Sequence, residues 1–259
     1  MPISFGPTVG PRQGPAGERY DYSNSPRTVA GVAFLSEADA IQRLLPPGCT
    51  VDGEPLVTVE WSELRELEWL AGRGYSMLGV KFPVIYQGDR ERARGPFLSV
   101  LWENRPEPII SGREELGFAK LYCQLPAPRA LNGRYIWSAS WDDHAFVQLE
   151  LVGLVDSDVP TPAGEQDGTL HHRYLPRLGE PGHAEIEQMV ISPTGTPVRT
   201  LSYRTGKPSL KFVRSTWEQL PTMHHIVNAL ADLPIVEMRT GWLAEMRGAS
   251  DLADQRELH

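Results

Sequence analysis

From Val29 to about residue 215 one strand-like run follows another with few helical stretches between them, and this succession limits the possible folds more than any other feature of the chain. Val57, Val59 and Trp61 alternate with Thr58, Glu60 and Ser62, the two-residue period of a strand with one apolar face and Glu60 on the opposite one. Similar runs cover 29–35, 78–87, 96–103, 132–141, 145–155, 184–192, 197–204 and 210–215. Helical signals are sparse. Ser36 and Asp39 stand at capping-box spacing ahead of Ile41, Leu44 and Leu45, predicting a helix of about ten residues that Pro46, Pro47 and Gly48 end. A second short helix is expected to open at Ser111, paired with Glu114, and a third runs from Pro221 through Leu230. Strands without regular intervening helices argue against a (β/α)₈ barrel or a doubly wound sheet. They predict an α+β chain built on one large, mostly antiparallel curled sheet that forms a cone or barrel, with a few short helices. Residues 1–26, rich in Gly and Pro, read as an extended N-terminal arm, 27–259 as a single domain, and 156–182 as a long polar connection.

Composition removes several function classes. The formal charge of -8, from 25 basic and 33 acidic residues, offers no field that would gather nucleic acid or an anionic membrane. The first residues lack a signal pattern, and no stretch approaches the ~20 apolar residues of a spanning helix, so the chain reads as cytoplasmic. Cys49 and Cys123 are too few for a disulfide framework, and neither Cys-x-x-Cys nor His-x-x-x-His spacing occurs, so no metal is expected. His171, His172, His224 and His225 lack partners at ligand spacing and read as structural.

Among the 25 basic residues only Lys81, Lys120, Lys207 and Lys211 are lysine. Lysine, unlike arginine, can be pushed by burial toward its neutral, nucleophilic form. Lys120 lies among Leu116, Phe118, Ala119, Leu121 and Tyr122, and Gly117 is placed to end the preceding helix. Lys81, between Val80 and Phe82, and Lys211, between Leu210 and Phe212, have comparable surroundings. Any of the three can equally carry its amine to water along an apolar surface, so local chemistry does not choose among them.

The stretch EPIISGREELGFAK, with PLVTVE at 55–60, FPVIYQG at 82–88 and LADLPIVEM at 230–238, resembles the acetoacetate decarboxylase family in order and spacing from about residue 27 to 245. Its most specific part is Gly112-Arg113-Glu114, followed six residues later by Lys120, where that family carries its Schiff-base lysine. The resemblance implies a cone-shaped, largely antiparallel sheet with the site inside, and a homo-oligomer. It also implies active-site roles for Arg27, as a carboxylate anchor, and Glu60, as a proton shuttle. Glu114, Phe118, Met77 and Leu121 complete the expected substrate-binding set. The last two depart from the family: Leu121 replaces a second lysine, and Met77 stands where a pocket glutamate is found.

The expected function is therefore that of a lyase needing no cofactor, in which Lys120 condenses with a small keto acid to form an iminium that accepts the electrons of a breaking or forming C–C bond. With two charges of the decarboxylase pattern missing, aldol condensation and dehydration of a pyruvate-like 2-keto acid with an aldehyde co-substrate is favoured. Decarboxylation of acetoacetate or another 3-keto acid is the alternative, and a non-catalytic small-ligand-binding module is a second.

Overall fold

The computed structural model describes residues 4, 10, 14–161, 164–194, 198–250 and 252–259. Among these the chain runs β1 (Pro26–Leu35), α1 (Ala38–Gln42), β2 (Cys49–Val51), β3 (Leu56–Leu67), β4 (Arg73–Gln87), β5 (Arg92–Glu103), α2 (Pro106–Glu114) and β6 (Lys120–Tyr122). It continues with β7 (Arg129–Leu131), β8 (Arg134–Trp141), β9 (His144–Asp156), β10 (Gly168–Pro176), β11 (Ala184–Pro193) and β12 (Arg199–Phe212). The last elements are α3 (His224–Ala231), β13 (Glu237–Met238), β14 (Gly241–Arg247) and β15 (Arg256–Leu258). No helix among the described residues is long and apolar enough to cross a membrane.

One sheet takes in every strand, in the order β15-β11-β10-β5-β4-β3-β1-β14-β12-β9-β8-β7, with β13, β2 and β6 added beside β1, β4 and β5. The fold class is the expected one, a large and mostly antiparallel sheet with a few short helices. Its end strands β15 and β7 do not pair, so among the described residues the ladder stays open instead of closing as a barrel. Two pairings are parallel, β5 with β6 and β5 with β10. A parallel neighbour needs a crossover, and α2 provides the one that carries the chain from β5 to β6.

Strand alternation separates the core from the site. Val57, Val59 and Trp61 on β3 and Leu78, Val80, Phe82 and Val84 on β4 are buried in the core, each worth ~1.5–3 kcal/mol relative to exposure. The intervening residues of both strands face the other way. Opposite Val80 and Lys81 of β4 the pairing skips Ser99 of β5, and this irregularity turns both Leu98 and Leu101 to the face shared with Glu103.

Several local expectations are corrected. The segment 156–182 is no mere connection: β10 occupies its second half, masked in the sequence by polar residues and flanking glycine and proline. The runs at 197–204 and 210–215 form the single strand β12, irregular at Thr205/Lys207, and β14 was not anticipated. Helix α2 starts with Pro106 near its N-terminus, where the missing N–H costs nothing, instead of at Ser111. Ser111 is interior, and its hydroxyl donates back to the Glu107 carbonyl. Ser36 does not cap α1, which is only five residues long. The arm is described only in part; within it Tyr22 is buried, and its remaining residues 1–3, 5–9 and 11–13 lie outside the described residues.

Candidate active site

Lys120 opens β6 directly after the turn that ends α2, where Gly117 takes φ +75°, a conformation costly to residues with a Cβ. Its side chain folds back against the helix. The side chain is 8% exposed, and its amine donates to the Pro108 carbonyl at 2.9 Å and lies 2.9 Å from Glu103 Oε1. A Cβ at Gly112 would stand 2.5 Å from Lys120 Cδ, Cε and Nζ, so only glycine lets the amine occupy this place. Arg113 Nη1 donates to the Lys120 carbonyl at 3.0 Å and fixes the backbone. The Gly-Arg pair thus has a physical meaning: clearance for the amine and an anchor for its main chain.

Glu103 is fully buried at the end of β5. Its contact with Lys120 is close but poorly aligned, and neither oxygen accepts a well-directed hydrogen bond. Burial pushes the Glu103 carboxyl up from the usual carboxylate range, and the neighbouring Lys120 ammonium offsets part of that rise. Lys120 and Glu103 share the wall of a cavity of about 380 Å³. The same cavity is lined by Arg27 of β1, Glu60 and Ser62 of β3, Met77 and Lys81 of β4, and Phe118. A small recess of about 80 Å³ adjoins it at Lys120 and Tyr75, walled by Tyr22, Leu67 and Trp69. The Tyr75 phenol is driven well above its ordinary value by burial and then by Glu103, so its hydroxyl remains a donor.

Of the residues singled out in the sequence, Lys120, Glu60, Arg27, Met77 and Phe118 come together. Glu114 and Leu121 do not line this cavity: Glu114 is at the exposed end of α2, and Leu121 alternates away from Lys120 to pack on the core. Tyr86 borders a larger, more open groove of about 510 Å³ that contains none of these groups, and Tyr122 is exposed. Trp242 lines a recess of about 160 Å³ beyond Arg27 and Glu60. Sequence reasoning missed Glu103, whose only local signal is an acid closing the apolar strand FLSVLW, and it left Lys81 undistinguished.

Arg27 is largely buried, which lowers its guanidinium from the usual value, while the Glu60 charge offsets part of that effect. Its Nη2 lies 3.8 Å from Met246 Sδ, its Nε is buried without a hydrogen-bond partner, and no carboxylate stands within ion-pair distance among the described residues. Glu60 Oε1 instead pairs with Lys81 Nζ at 3.1 Å. No group of three or more His, Cys, Asp or Glu able to hold a metal occurs among the described residues.

The floor beneath Lys120 is set by His171 of β10. Its ring stacks on Phe118 at 4.1 Å, and its Nε2 lies 2.9 Å from the Leu116 carbonyl, to which it donates as the Nε2–H tautomer. Burial pushes His171 down to about 4, so it is neutral at pH 7. A depressed folded value gives stability that is present above the unfolded ~6.5 and lost as pH falls through about 4, roughly 3 kcal/mol in all. Urea midpoints measured from pH 7.5 to pH 4 should therefore fall less steeply in His171→Gln than in the native protein. Parallel declines would contradict the assignment.

The sequence profile of the acetoacetate decarboxylase family matches residues 1–248, and the chain belongs to that family. A curated relative, the acetoacetate decarboxylase of Clostridium botulinum (strain Eklund 17B / Type B), is 26% identical over 118 residues, 43% of this chain and 46% of the relative. The match thus spans about half of that relative's length. Among solved structures an acetoacetate decarboxylase superposes with TM-score 0.69 at 14% identity, covering 95% of this chain and 94% of the other. The enduracididine biosynthesis enzyme MppR complexed with pyruvate superposes with TM-score 0.65 at 16% identity, covering 98% of each chain. MppR has also been seen with the condensation product of pyruvate and imidazole 4-carboxaldehyde. At these identities the two superpositions establish the shared fold.

Proposed function

We propose that this chain is a Schiff-base lyase in which Lys120 condenses with a small 2-keto acid of the pyruvate type and then adds the resulting enamine to an aldehyde, with loss of water. The observation that carries this reading is the buried Lys120 amine set against the buried Glu103 carboxylate in a cavity that Arg27 and Glu60 also face. To attack, the amine must shed a proton, and a carboxylate raised by burial 2.9 Å away is a suitable acceptor. Lys120 Nζ then bonds to the keto carbon and water leaves, giving the iminium. A carboxylate such as Glu60 removes a proton from the adjacent carbon, the electron pair moves into the iminium, and the enamine attacks the aldehyde carbonyl. Loss of water and hydrolysis of the imine return Lys120. The substrate carboxylate stays throughout, and the Arg27 guanidinium, which meets no carboxylate at ion-pair distance among the described residues, suits it.

The pyruvate and condensation-product complexes of MppR support the aldol reading over decarboxylation. So does Met77 in the cavity wall in place of an acid. The proposal includes a homo-oligomer in the cytoplasm and chemistry that needs neither metal nor organic cofactor. The test is incubation with pyruvate, or with acetoacetate, followed by borohydride and peptide mapping, and a parallel assay with pyruvate plus an aromatic aldehyde. An adduct confined to Lys120 and an unsaturated condensation product are expected. CO₂ release from acetoacetate without condensation would make the chain a decarboxylase, and no adduct from either acid would reduce it to a binding module.

A further inference from the structure

Two of the four lysines, in a chain whose other 21 basic residues are arginine, line one cavity. Lys81 has no part in the chemistry above. It lies across from Thr58 in the β3–β4 ladder, and Glu60 lies across from Gly79, so the two side chains meet diagonally on the cavity face. Gly79 presents no side chain beneath them. The pair is 3.1 Å apart and about three-quarters shielded, with side-chain exposures of 24% for Lys81 and 28% for Glu60.

The charges around Glu60 explain why a cation here matters. Arg27 and Glu60 border the same two cavities and sense each other's charge, yet Glu60 pairs with Lys81 and Arg27 is left without a carboxylate among the described residues. A guanidinium beside an otherwise unpaired carboxylate would be drawn to it, because its planar fork suits that geometry. We infer that Lys81 is a positioning residue that occupies the Glu60 carboxylate, keeping the Arg27 guanidinium free for the carboxylate of an incoming 2-keto acid. With Lys81 in place the cluster of one acid and two cations keeps one positive charge for an anionic ligand. Without it the acid and the remaining cation neutralise each other. Lys120 and Glu103, across the same cavity, form their own pair and do not alter this balance.

This deepens the function proposed above and rests on it for the class of ligand, but its test does not need the imine. Pyruvate binding is measured by calorimetry in a Lys120→Ala/Glu103→Gln background, where no adduct forms and the paired charges are removed together, so no carboxylate is stranded. At the effective dielectric of a half-buried site, Lys81→Met should weaken binding about tenfold. Adding Glu60→Gln to Lys81→Met should return affinity to near the starting value, because Arg27 is released, and Lys81→Arg should bind as the parent does. A purely structural Lys81 would give the same loss with or without Glu60→Gln, and that result overturns the inference. So would unaltered affinity in Lys81→Met, or no pyruvate binding by the parent. Failure of the wild-type protein to form a borohydride adduct would overturn the Schiff-base reading alone and leave this comparison standing.

Discussion

Lys120→Ala is expected to lose the borohydride-trapped adduct entirely and to lower turnover by on the order of 10⁴-fold or more, the scale seen when a covalent nucleophile is removed. Intact mass after trapping and steady-state assays read the two effects separately, and an adduct that persists on Lys81 or Lys211 would reassign the nucleophile. The substitution also strands Glu103, a fully buried carboxylate whose only close cation among the described residues is Lys120. The Glu103 carboxyl is already raised by burial, and without Lys120 it rises further. An acid raised in the folded state is no burden below the ordinary carboxylate range, and it destabilises as pH climbs toward and past its raised value. Lys120→Ala should therefore lose urea stability relative to wild type between pH 4 and pH 8, by as much as ~3–5 kcal/mol for an uncompensated buried charge. A constant difference across that range would show that the pair carries little charge.

Glu103→Gln should slow turnover by ~10²–10⁴-fold, the usual contribution of a positioned acid–base group. The amide keeps the shape of the side chain but cannot accept the ammonium proton, so the step most affected is formation of the imine. Rapid-quench trapping with pyruvate should show the adduct appearing slowly yet reaching its normal extent. A normal trapping rate combined with slow turnover would move Glu103 to a later proton transfer, and normal values of both would remove it from the chemistry.

Those two residues illustrate what the sequence discloses. Lys120 was reached through the family resemblance and not through local chemistry. The spacing that carries the resemblance has a physical reason, since Gly112, Arg113 and the lysine lie within one turn and crossover, where clearance for the side chain fixes spacing along the chain. The two-residue period of β3 likewise placed Glu60 opposite the core, and the cavity turned out to lie on that face. Glu103 and Lys81 were not singled out because their partners come from other elements: β6 brings Lys120 beside β5, and β3 brings Glu60 beside β4. The parallel step from β5 to β6 was equally hidden, since a short apolar run records neither its neighbour nor its direction. Helix α2 was misplaced for a different reason. Ser111 and Glu114 have the spacing of a cap, but Pro106 is at least as good a start, and tertiary contacts with Lys120 favour the longer helix.

The cavity has rigid walls and a soft rim. Arg27, Glu60, Met77, Lys81, Leu101 and Glu103 stand on β1, β3, β4 and β5, strands hydrogen-bonded on both sides, whereas Pro193, Val198, Ser250 and Leu252 belong to strand ends and loops. Changes of rim length or sequence leave the ladder intact, so the entrance can vary while Lys120 keeps its place beside Glu103. Divergence to 14–17% identity within one superposable scaffold is what such a division of labour permits. Under the proposed aldol reaction, the rim is accordingly the place to graft loops that would admit aldehydes of a different size.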